Sequence, residues 1–309
     1  MIIIGAGLTG LIAGHFWRGA VIHERQLTLP NNHHALLRFK SDAVSKVVGI
    51  PFQKGIVRKS IICDGQFAYD PNPYLANSYS IKVTGAVSDR SIWDLTPGPR
   101  YVAPMDFVQR AAQNLNIKFG KERVGINNEN NDFIVSTIPM PTLMAMSGWK
   151  HIPDFKVQPI WSIQIDIINP IVNVFQTIYY PSFEVPYYRA SITGSRLIVE
   201  YISEPKQIRK DIKSILDDFG IPMVFNNINT NIIAKKHEYG KILPIDEDIR
   251  QDFIYTMTRE HGIYSLGRFA TWKQILLDDV VKDCEFIDRL MRAEGGRREY
   301  QRSKMRTGR

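Results

Sequence analysis

The chain has 309 residues and a net charge of +8, which is enough length for one large domain or two interleaved ones. Hydrophobic residues make up 44% of it and aromatic residues 11%, a composition that excludes an intrinsically disordered chain. No stretch approaches the roughly 18 uncharged apolar residues of a membrane-spanning helix. The opening apolar run enters a glycine turn at once, without the basic region of a secretory leader. We therefore expect a protein that starts directly in its fold and has no membrane partner.

The two cysteines, Cys63 and Cys284, lie far apart, with neither CxxC spacing nor a histidine cluster beside them. A chain of this size does not need a disulfide, and a zinc site would lack ligands. The sequence therefore predicts two reduced thiols, a cytoplasmic location and no metal site.

The positive charge is concentrated between Gly295 and Arg309, where six basic residues stand against one acid. This segment carries +5 and leaves +3 on the rest of the chain. Because it follows a double glycine and has almost no apolar residues, we expect residues 295–309 to form a disordered basic tail. Two interpretations stay open: a tail that only keeps the protein soluble, and one that contacts nucleic acid or another polyanion.

Hydrophobic periodicity and turn residues predict an opening strand–helix–strand unit. Its parts are a strand over Met1–Ile4, a glycine turn over Gly5–Gly10, a helix over Leu11–Arg18 and a strand over Ala20–Glu24. Farther along, helices are predicted at Ala43–Val48 and Met105–Asn114, with strand-like pieces between them up to about Val87. Two more strands are predicted over Ile117–Val124 and Asp132–Thr137.

The middle of the chain is different, because four β-rich runs follow one another there with Pro, Asn-Pro and Gly-Ser between them. The runs are Trp161–Ile168, Val172–Tyr180, Tyr187–Thr193 and Arg196–Ile202. They predict an antiparallel sheet. The remaining elements are predicted helices at Ile208–Phe219, Asp248–Glu260 and Leu277–Ala293, and a strand at Ile232–Lys236.

The opening turn has the spacing of a dinucleotide-binding motif, with Gly5, Gly7 and Gly10 directly after a strand and at the start of a helix. The turn, which includes Leu8 and Thr9, would let a pyrophosphate meet the positive end of the helix. Glu24 ends the second strand, 19 residues after Gly5, where an acid can accept hydrogen bonds from a ribose. The alternative is a chance glycine turn in a generic α/β protein.

A second motif, Gly262 to Trp272 (GIYSLGRFATW), lies near the other end of the chain. It resembles the flavin-binding signature of FAD-dependent amine oxidases and UDP-galactopyranose mutase-like flavoproteins. The resemblance implies FAD as the cofactor, with Gly267 and Arg268 beside it. Trp272 matches the signature, and Asp278 falls near the family's acidic residue at the start of the following helix. Arg25, next to Glu24, is included in the predicted cofactor site.

Weaker matches to the same family concern the substrate. Tyr188 and Arg189 resemble a strand whose arginine reaches a substrate phosphate or carboxylate, with Tyr180 in the same predicted cavity. The alternatives are core tyrosines, and an arginine that is either exposed on its strand or paired with Glu200. Lys241 precedes a stretch that in the family lies over the flavin, and a lysine there activates water or oxygen in several amine oxidases. An ordinary solvated lysine is the alternative.

These patterns predict an α/β fold: a doubly wound, Rossmann-type FAD-binding domain with an inserted antiparallel β-sheet substrate domain. We assign residues 1–45, 115–150 and 230–294 to the first domain, and residues 46–114 and 151–229 to the second.

The resemblance implies an FAD-dependent, amine-oxidase-like oxidoreductase that transfers a hydride from a small-molecule substrate to the flavin. A non-redox nucleotide-sugar mutase is an alternative, which the chain's length makes less favoured, and no counterpart of the mutases' glycine-rich histidine loop is recognisable around His33 and His34. A flavin enzyme acting on modified nucleobases in DNA and a flavoprotein without turnover are further alternatives.

Overall fold

The computed structural model describes residues 1–29, 37–88, 91–122, 133–167, 174–221, 232 and 234–307. One of its two sheets has five parallel strands in the spatial order β14-β8-β1-β2-β7. The strands are β1 (Ile2–Ile4), β2 (Val21–His23), β7 (Asn116–Lys118), β8 (Ile134–Ser136) and β14 (Ile263–Ser265). The sheet is therefore assembled from both ends of the chain, as the sequence predicts.

Helices cover both faces of this sheet. The helices α1 (Leu8–Phe16), α2 (Ala43–Val48), α4 (Phe107–Ala112) and α8 (Leu277–Thr307) contribute to the apolar cluster on one face. The helices α5 (Met140–Ser147) and α7 (Glu247–His261) contribute to the cluster on the other face. Burying both faces of short Ile- and Val-rich parallel strands is the doubly wound arrangement, and this part of the predicted fold class is confirmed.

The second sheet has nine strands, eight of them in the order β13-β9-β12-β11-β10-β4-β6-β3, with β5 paired to β4. The strands are β3 (Arg38–Phe39), β4 (Gln53–Cys63), β5 (Gln66–Ala68), β6 (Gly98–Val102), β9 (Val157–Asp166), β10 (Val174–Tyr179), β11 (Tyr187–Gly194), β12 (Arg196–Tyr201) and β13 (Lys235–Ile242). All of its pairs are antiparallel except β10–β4. The predicted antiparallel sheet is present and extends beyond the four predicted runs.

Each face of the nine-stranded sheet packs against one helix. The helix α6 (Ile208–Asp218) covers one face through Ile212, Ile215 and Leu216, which are buried against the central strands. The helix α3 (Pro73–Thr84) and a short 3-10 turn at Ser91–Trp93 pack against part of the other face.

The prediction of strand-like pieces up to about Val87 is wrong for α3. The helix forms because the Asn72 side chain accepts a hydrogen bond from the Leu75 N–H at 2.8 Å and Pro73 occupies the first turn. Gly85 ends it with a φ of 74°. Tertiary packing of Tyr79 and Val83 then outweighs the β-branched and aromatic composition of the segment.

The prediction of a disordered tail over residues 295–309 is also wrong, since α8 continues to Thr307. The first half of this helix is fixed by buried Val280, Cys284, Ile287 and Met291. Extending an existing helix adds a hydrogen bond per residue without a new nucleus, and Arg, Lys, Glu and Gln all favour helix. The helix therefore passes through the double glycine.

Two packing features differ from the predicted domain division. The helix α4 packs with α1, although residues 46–114 were assigned to the substrate domain. Strand β13 belongs to the nine-stranded sheet, although residues 230–294 were assigned to the cofactor domain. The division itself stays a prediction. The strand ends predicted at Val124, Asp132, Ile168 and Val172, and the His33–His34 loop, lie outside the described residues.

Over the described ranges, no helix is both long enough and apolar enough to cross a membrane.

Candidate cofactor and substrate site

The glycine turn between β1 and α1 requires glycine at two positions for reasons of space. Gly5 has a φ of +98°, and a Cβ there would lie 2.5 Å from Thr137 Oγ1. A Cβ on Gly10 would lie 1.9 Å from the carbonyl oxygen of Gly5. The first glycine therefore makes the sharp turn and the third lets the helix pack directly on the turn, which is how this motif works in nucleotide-binding folds.

Gly7 differs from the other two, because a Cβ added there would meet no atom within 4 Å. Gly7 is the N-cap of α1 and provides no side-chain cap. The N–H groups of the first helical turn, at Leu8, Thr9 and Gly10, have no partner within the helix and lie at the positive end of the helix dipole, beside the open space at Gly7. This is a geometry suited to a pyrophosphate.

Glu24 fixes the shape of the turn from the end of β2. Its Oε2 accepts a hydrogen bond from Ala6 N at 2.7 Å, and its Oε1 accepts one from Gln26 N at 2.9 Å. The carboxylate thus lies beside the glycine turn, as predicted for a ribose partner. Arg25 is exposed instead, and its guanidinium lies 3.7 Å from the Glu122 carboxylate.

The C-terminal motif meets the glycine turn in space. Strand β14 pairs with β8, and β8 pairs with β1, so the carboxyl ends of all three strands share one edge. Gly267 follows β14 with a φ of +88°, and a Cβ there would lie 2.6 Å from Thr9 Cγ2. Two motifs separated by most of the chain therefore form one surface, with Gly267 packed against the first turn of α1.

Arg268 and Trp272 link this surface to the second sheet. An NH2 group of Arg268 donates to Gln274 Oε1 at 3.0 Å, and Gln274 Nε2 donates to the carbonyl oxygen of Ile242 at 2.7 Å. The indole N–H of buried Trp272 donates to the carbonyl oxygen of Leu243 at 2.9 Å. The end of β13, which carries Lys241, is therefore held next to the predicted cofactor loop.

Asp278 lies in the first turn of α8 and connects it to the segment after β3. Its Oδ1 accepts hydrogen bonds from Lys40 N at 2.6 Å and Ser41 N at 3.0 Å. The neighbouring Asp279 accepts from Leu276 N at 2.8 Å and so caps the helix. The contact that the structure gives Asp278 is thus a structural one, and its role toward a cofactor stays a prediction.

Two hydroxyl groups that the sequence analysis does not single out lie at the same edge of the parallel sheet. Ser136 and Ser265 occupy paired positions at the ends of β8 and β14. Their oxygens are buried and find no hydrogen-bond partner among the described residues. Buried polar groups normally have a partner. The open space at Gly7 and these hydroxyls together fit a polar ligand such as an adenine dinucleotide.

Three of the residues predicted to face the substrate come together around Glu200, which is 8% exposed. The Tyr188 hydroxyl donates to Glu200 Oε1 at 3.0 Å, and Arg189 Nε donates to Glu200 Oε2. Lys241 Nζ lies 5.3 Å from the centre of the Tyr188 ring. The alternative that Arg189 pairs with Glu200 is therefore what the structure shows, and Glu200 is a site residue that motif comparison missed.

The charges of this cluster depend on one another. Burial favours a raised pKa for Glu200, but the positive charges of Arg189 and Lys241 and two hydrogen bonds outweigh it and leave the pKa below its usual value. Burial alone would lower the pKa of Arg189, and the charge of Glu200 raises it instead. The pair is thus ionised at neutral pH.

Tyr180 does not join this cluster, which corrects its assignment to the substrate cavity. Its side chain is 2% exposed and lies in the apolar cluster on the α6 face of the sheet. The hydroxyl donates to Asp218 Oδ2 at 3.0 Å. Tyr180 follows the last residue of β10, Tyr179, and successive side chains of an extended chain point to opposite faces. Tyr179 packs with Tyr188 and Tyr180 does not.

Comparison with known proteins shows the fold. No family model and no curated protein sequence matches the chain. Among solved structures, reduced UDP-galactopyranose mutase matches with a TM-score of 0.66 at 14% identity, over 94% of this chain and 93% of that chain. Aklavinone-11 hydroxylase, in a ternary complex with FAD and aklavinone, matches with a TM-score of 0.50 at 12% identity, over 86% of this chain and 56% of that chain. The chain has the Rossmann-type α/β fold found in such flavoproteins.

Proposed function

We propose that this chain binds FAD and is an amine-oxidase-like, FAD-dependent oxidoreductase. The observation that carries the proposal is the contact between Gly267 and Thr9, which brings the two glycine-containing motifs into one surface. The first motif suits the pyrophosphate of any adenine dinucleotide. The second is the one that resembles a flavin-binding signature, and its position beside the first is what a single FAD molecule requires.

Different residues at this edge would bind different parts of the cofactor. The turn from Gly5 to Gly10 and the first turn of α1 would bind the pyrophosphate, and Glu24 would accept hydrogen bonds from the ribose. Gly267 and Arg268 would lie along the rest of the molecule. FAD, when bound, supplies the acceptor for a hydride taken from a C–N or C–H bond of the substrate.

The second sheet supplies the substrate side. Arg189 would bind an oxyanion of the substrate; its guanidinium donates to Glu200, and the Tyr188 hydroxyl donates to the same carboxylate. Lys241 would orient a water or oxygen molecule. The hydrogen bonds of Gln274 and Trp272 to the end of its strand, next to the loop of Arg268, support this role. Both cysteines are free, which favours a cytoplasmic location.

A non-redox nucleotide-sugar mutase is the second candidate, and the extent of the match to UDP-galactopyranose mutase favours it. The match covers 93% of the mutase chain. The shorter length of this chain is therefore no strong argument against a mutase. In a mutase, Arg189 would hold a diphosphate and Lys241 would have no oxygen to activate.

A visible spectrum of the purified protein, followed by anaerobic mixing with amines and nucleotide sugars, tests both candidates. An oxidoreductase is expected to be yellow, to bleach with its substrate and to form peroxide when air is admitted. A mutase is expected to interconvert its sugar only after prior reduction and to consume no oxygen. Colourless protein that takes up no FAD on reconstitution would refute both.

Gly7→Ala sharpens this test. Because no protein atom lies within 4 Å of the new methyl group, we expect the fold to be retained. The methyl group would occupy space that the pyrophosphate needs, so FAD affinity should fall at least tenfold. Gly296→Ala, which also meets no atom within 4 Å, is the matched control. Equal FAD uptake by both variants would contradict the proposed position of the cofactor.

A further inference from the structure

The strand register places most of the charges of the nine-stranded sheet on one face. Directly paired residues of neighbouring strands point to the same side, and so do residues two apart on one strand. Lys59 pairs with Thr177 and Thr177 pairs with Ser191, which lies two residues from Arg189. Following the pairings across the sheet gives seven cations on this face, which we call the cationic face: Arg38, Lys59, Arg100, Arg189, Arg196, Lys235 and Lys241. Only two carboxylates, Asp166 and Glu200, point the same way from the described strands.

Arg38 shows that the cationic face is concave. It lies on β3, at one edge of the sheet, three strands away from β10. Its Nε nevertheless donates to Thr193 Oγ1 at 2.7 Å and its NH1 to Thr177 Oγ1 at 2.9 Å. A side chain can reach β10 and β11 from β3 only if the sheet curls around it. The face therefore curls around the Arg38 side chain and is not flat.

The charge of Arg38 is balanced by no acid within the described part of the chain. Its remaining hydrogen bonds go to the carbonyl oxygens of Gln176 and Ile192, so all four of its acceptors are neutral. Burial and the nearby charge of Arg189 lower the pKa of Arg38 to about 9. Enclosing a cation without a counter-charge is unfavourable. The two carboxylates of the face are already used, because Glu200 pairs with Arg189 and Asp166 with Arg196.

Arg100 and Lys59 are the two cations of the cationic face nearest to Arg38 in the strand pairing. Arg38 donates to Thr177, the residue paired with Lys59, and Arg100 lies two residues from Val102, the residue paired with Arg38. The positive charge of Arg100 lowers the pKa of both Arg38 and Lys59, after the larger effect of burial on each, whereas the Asp94 carboxylate raises the pKa of Lys59. Among the described residues, Arg100 makes one hydrogen bond, to the carbonyl oxygen of Pro99 at 2.7 Å. Lys59 Nζ donates to the carbonyl oxygen of Asp94 at 2.6 Å and lies 4.0 Å from its carboxylate. The guanidinium of Arg100 has further N–H groups to offer a ligand.

We propose that Arg38, Lys59 and Arg100 form an anion-binding subsite for a phosphate or carboxylate group of the substrate, separate from the Arg189–Glu200 pair. The proposal rests on the proposed function in one respect, namely that the substrate enters the cationic face. An anion placed there would relieve the repulsion among the three cations. It would also accept hydrogen bonds from the remaining N–H groups of Arg100. We expect an anionic group to bind these three cations more strongly than Arg189, because the charge of Arg189 is already balanced by Glu200.

The test is calorimetric titration of FAD-loaded protein with inorganic pyrophosphate and, separately, with succinate. Arg100→Gln and Lys59→Gln each remove one charge from the subsite, and Arg38 is kept because it ties three strands together. Arg58→Gln is the matched control, since Arg58 is exposed, precedes Lys59 on β4 and points to the opposite face. Thermal unfolding of each variant checks that it is folded.

We expect one of the two anions to bind, with an affinity that falls about tenfold in each subsite variant, the loss expected for a hydrogen bond to a charged group. The change in Arg58→Gln should stay below about twofold, because an exposed charge on the other face is screened. The anion that binds identifies the group as a phosphate or a carboxylate. Binding of neither anion, or an equal loss in Arg58→Gln, would overturn the proposal.

Failure of this proposal is distinguishable from failure of the proposed function. FAD uptake is read from visible absorbance before the titration. Protein that takes up no FAD defeats the proposed function, and the titration can still be made on it, because Arg100 and Lys59 belong to a different sheet from the glycine turn.

Discussion

The glycine turn at the edge of the five-stranded sheet presents backbone groups, whereas the cationic face of the nine-stranded sheet presents charged side chains from many strands. At the turn, Gly5, Gly7 and Gly10 act through the absence of a side chain. On the cationic face, Arg38 and Glu200 act through charge and hydrogen bonds. The first surface is local in sequence, and the second exists only when distant strands pair.

This difference determines how each surface should respond to substitution. A backbone surface tolerates no added atom where the chain packs on itself, so variants at Gly5 and Gly10, unlike Gly7→Ala, should lose the fold and the ligand together. The side chains of the cationic face lie on a sheet that α6 and the strand pairing stabilise. Variants of these side chains should therefore change the charge of the face while the fold is retained.

Gly10→Ala should have the largest effect. The added Cβ would lie 1.9 Å from the Gly5 carbonyl oxygen, a backbone atom that cannot move without opening the turn. We expect a loss of more than about 4 kcal/mol in the free energy of unfolding and no FAD uptake, measured by urea denaturation and flavin absorbance. A folded, yellow Gly10→Ala protein would show that the turn is more plastic than the structure indicates.

Glu200→Gln should come second. Neutralising Glu200 leaves the partly buried Arg189 guanidinium without a counter-charge, and we expect a loss of about 3 kcal/mol, the lower end of the cost of breaking a buried pair. The exposed Glu204→Gln is the control and should change stability by less than about 0.5 kcal/mol. Urea denaturation at neutral pH measures both.

The pH dependence of the Glu200 effect has a definite sign. Because the pKa of Glu200 is lowered in the folded protein, its contribution is fully present above the ordinary carboxyl pKa and is lost as the pH falls through the lowered value. The difference between the wild type and Glu200→Gln should therefore shrink on acidification. A difference that grows at low pH would contradict the ionised pair.

Lys82→Met, in α3, should have a smaller effect than Glu200→Gln. The ammonium group of Lys82, which is 5% exposed, donates to the carbonyl oxygens of Tyr180, Ser182 and Tyr187 at 2.9, 2.5 and 2.7 Å. Methionine keeps the volume and loses the three bonds, so we expect a loss of about 2 kcal/mol.

Burial lowers the pKa of Lys82 to about 7. The folded state then binds fewer protons than the unfolded state above that pH, so the wild type should gain stability relative to Lys82→Met as the pH rises from about 7 toward the ordinary lysine value. Denaturation midpoints at several pH values measure this, with the exposed Lys213→Met as control. A flat difference would contradict the assignment.

Truncation after Glu294 should have the smallest effect on the fold, because Met291 is the last residue of the apolar cluster among the α8 side chains that the structure describes. We expect a change below about 1 kcal/mol in the free energy of unfolding. If the basic segment contacts nucleic acid, the truncated protein should lose its salt-sensitive binding to duplex DNA, measured by fluorescence anisotropy. Equal DNA binding by both proteins, or none by either, would favour the solubilising interpretation.

The cofactor edge could be predicted to a large extent from the sequence, because its motifs are short and each residue acts through a local backbone requirement. The glycine spacing and the acid at Glu24 were recognised in this way. The contact between Gly267 and Thr9 followed only from the flavoprotein resemblance, since no local pattern links positions so far apart. The helix α3 was missed because its capping residues outweigh a strand-like composition.

The substrate side could be predicted only in part. Arg189, Tyr188 and Lys241 were found by resemblance, and Tyr180 was misplaced because the pattern does not say which face of a strand a side chain takes at its end. Glu200 and Arg38 carry no motif. Their roles depend on register and curl, which bring β3, β11, β12 and β13 around one space.

The sequence by itself determined where the chain turns sharply, where a helix presents its N-terminus to an anion and which segments form strands, because these depend on neighbouring residues. The tertiary structure decided which charges share a face, which of them are already paired and which helix runs on past its glycines. Those outcomes depend on strand pairing and burial, which sum contributions from residues far apart in the chain and cannot be read from any one segment.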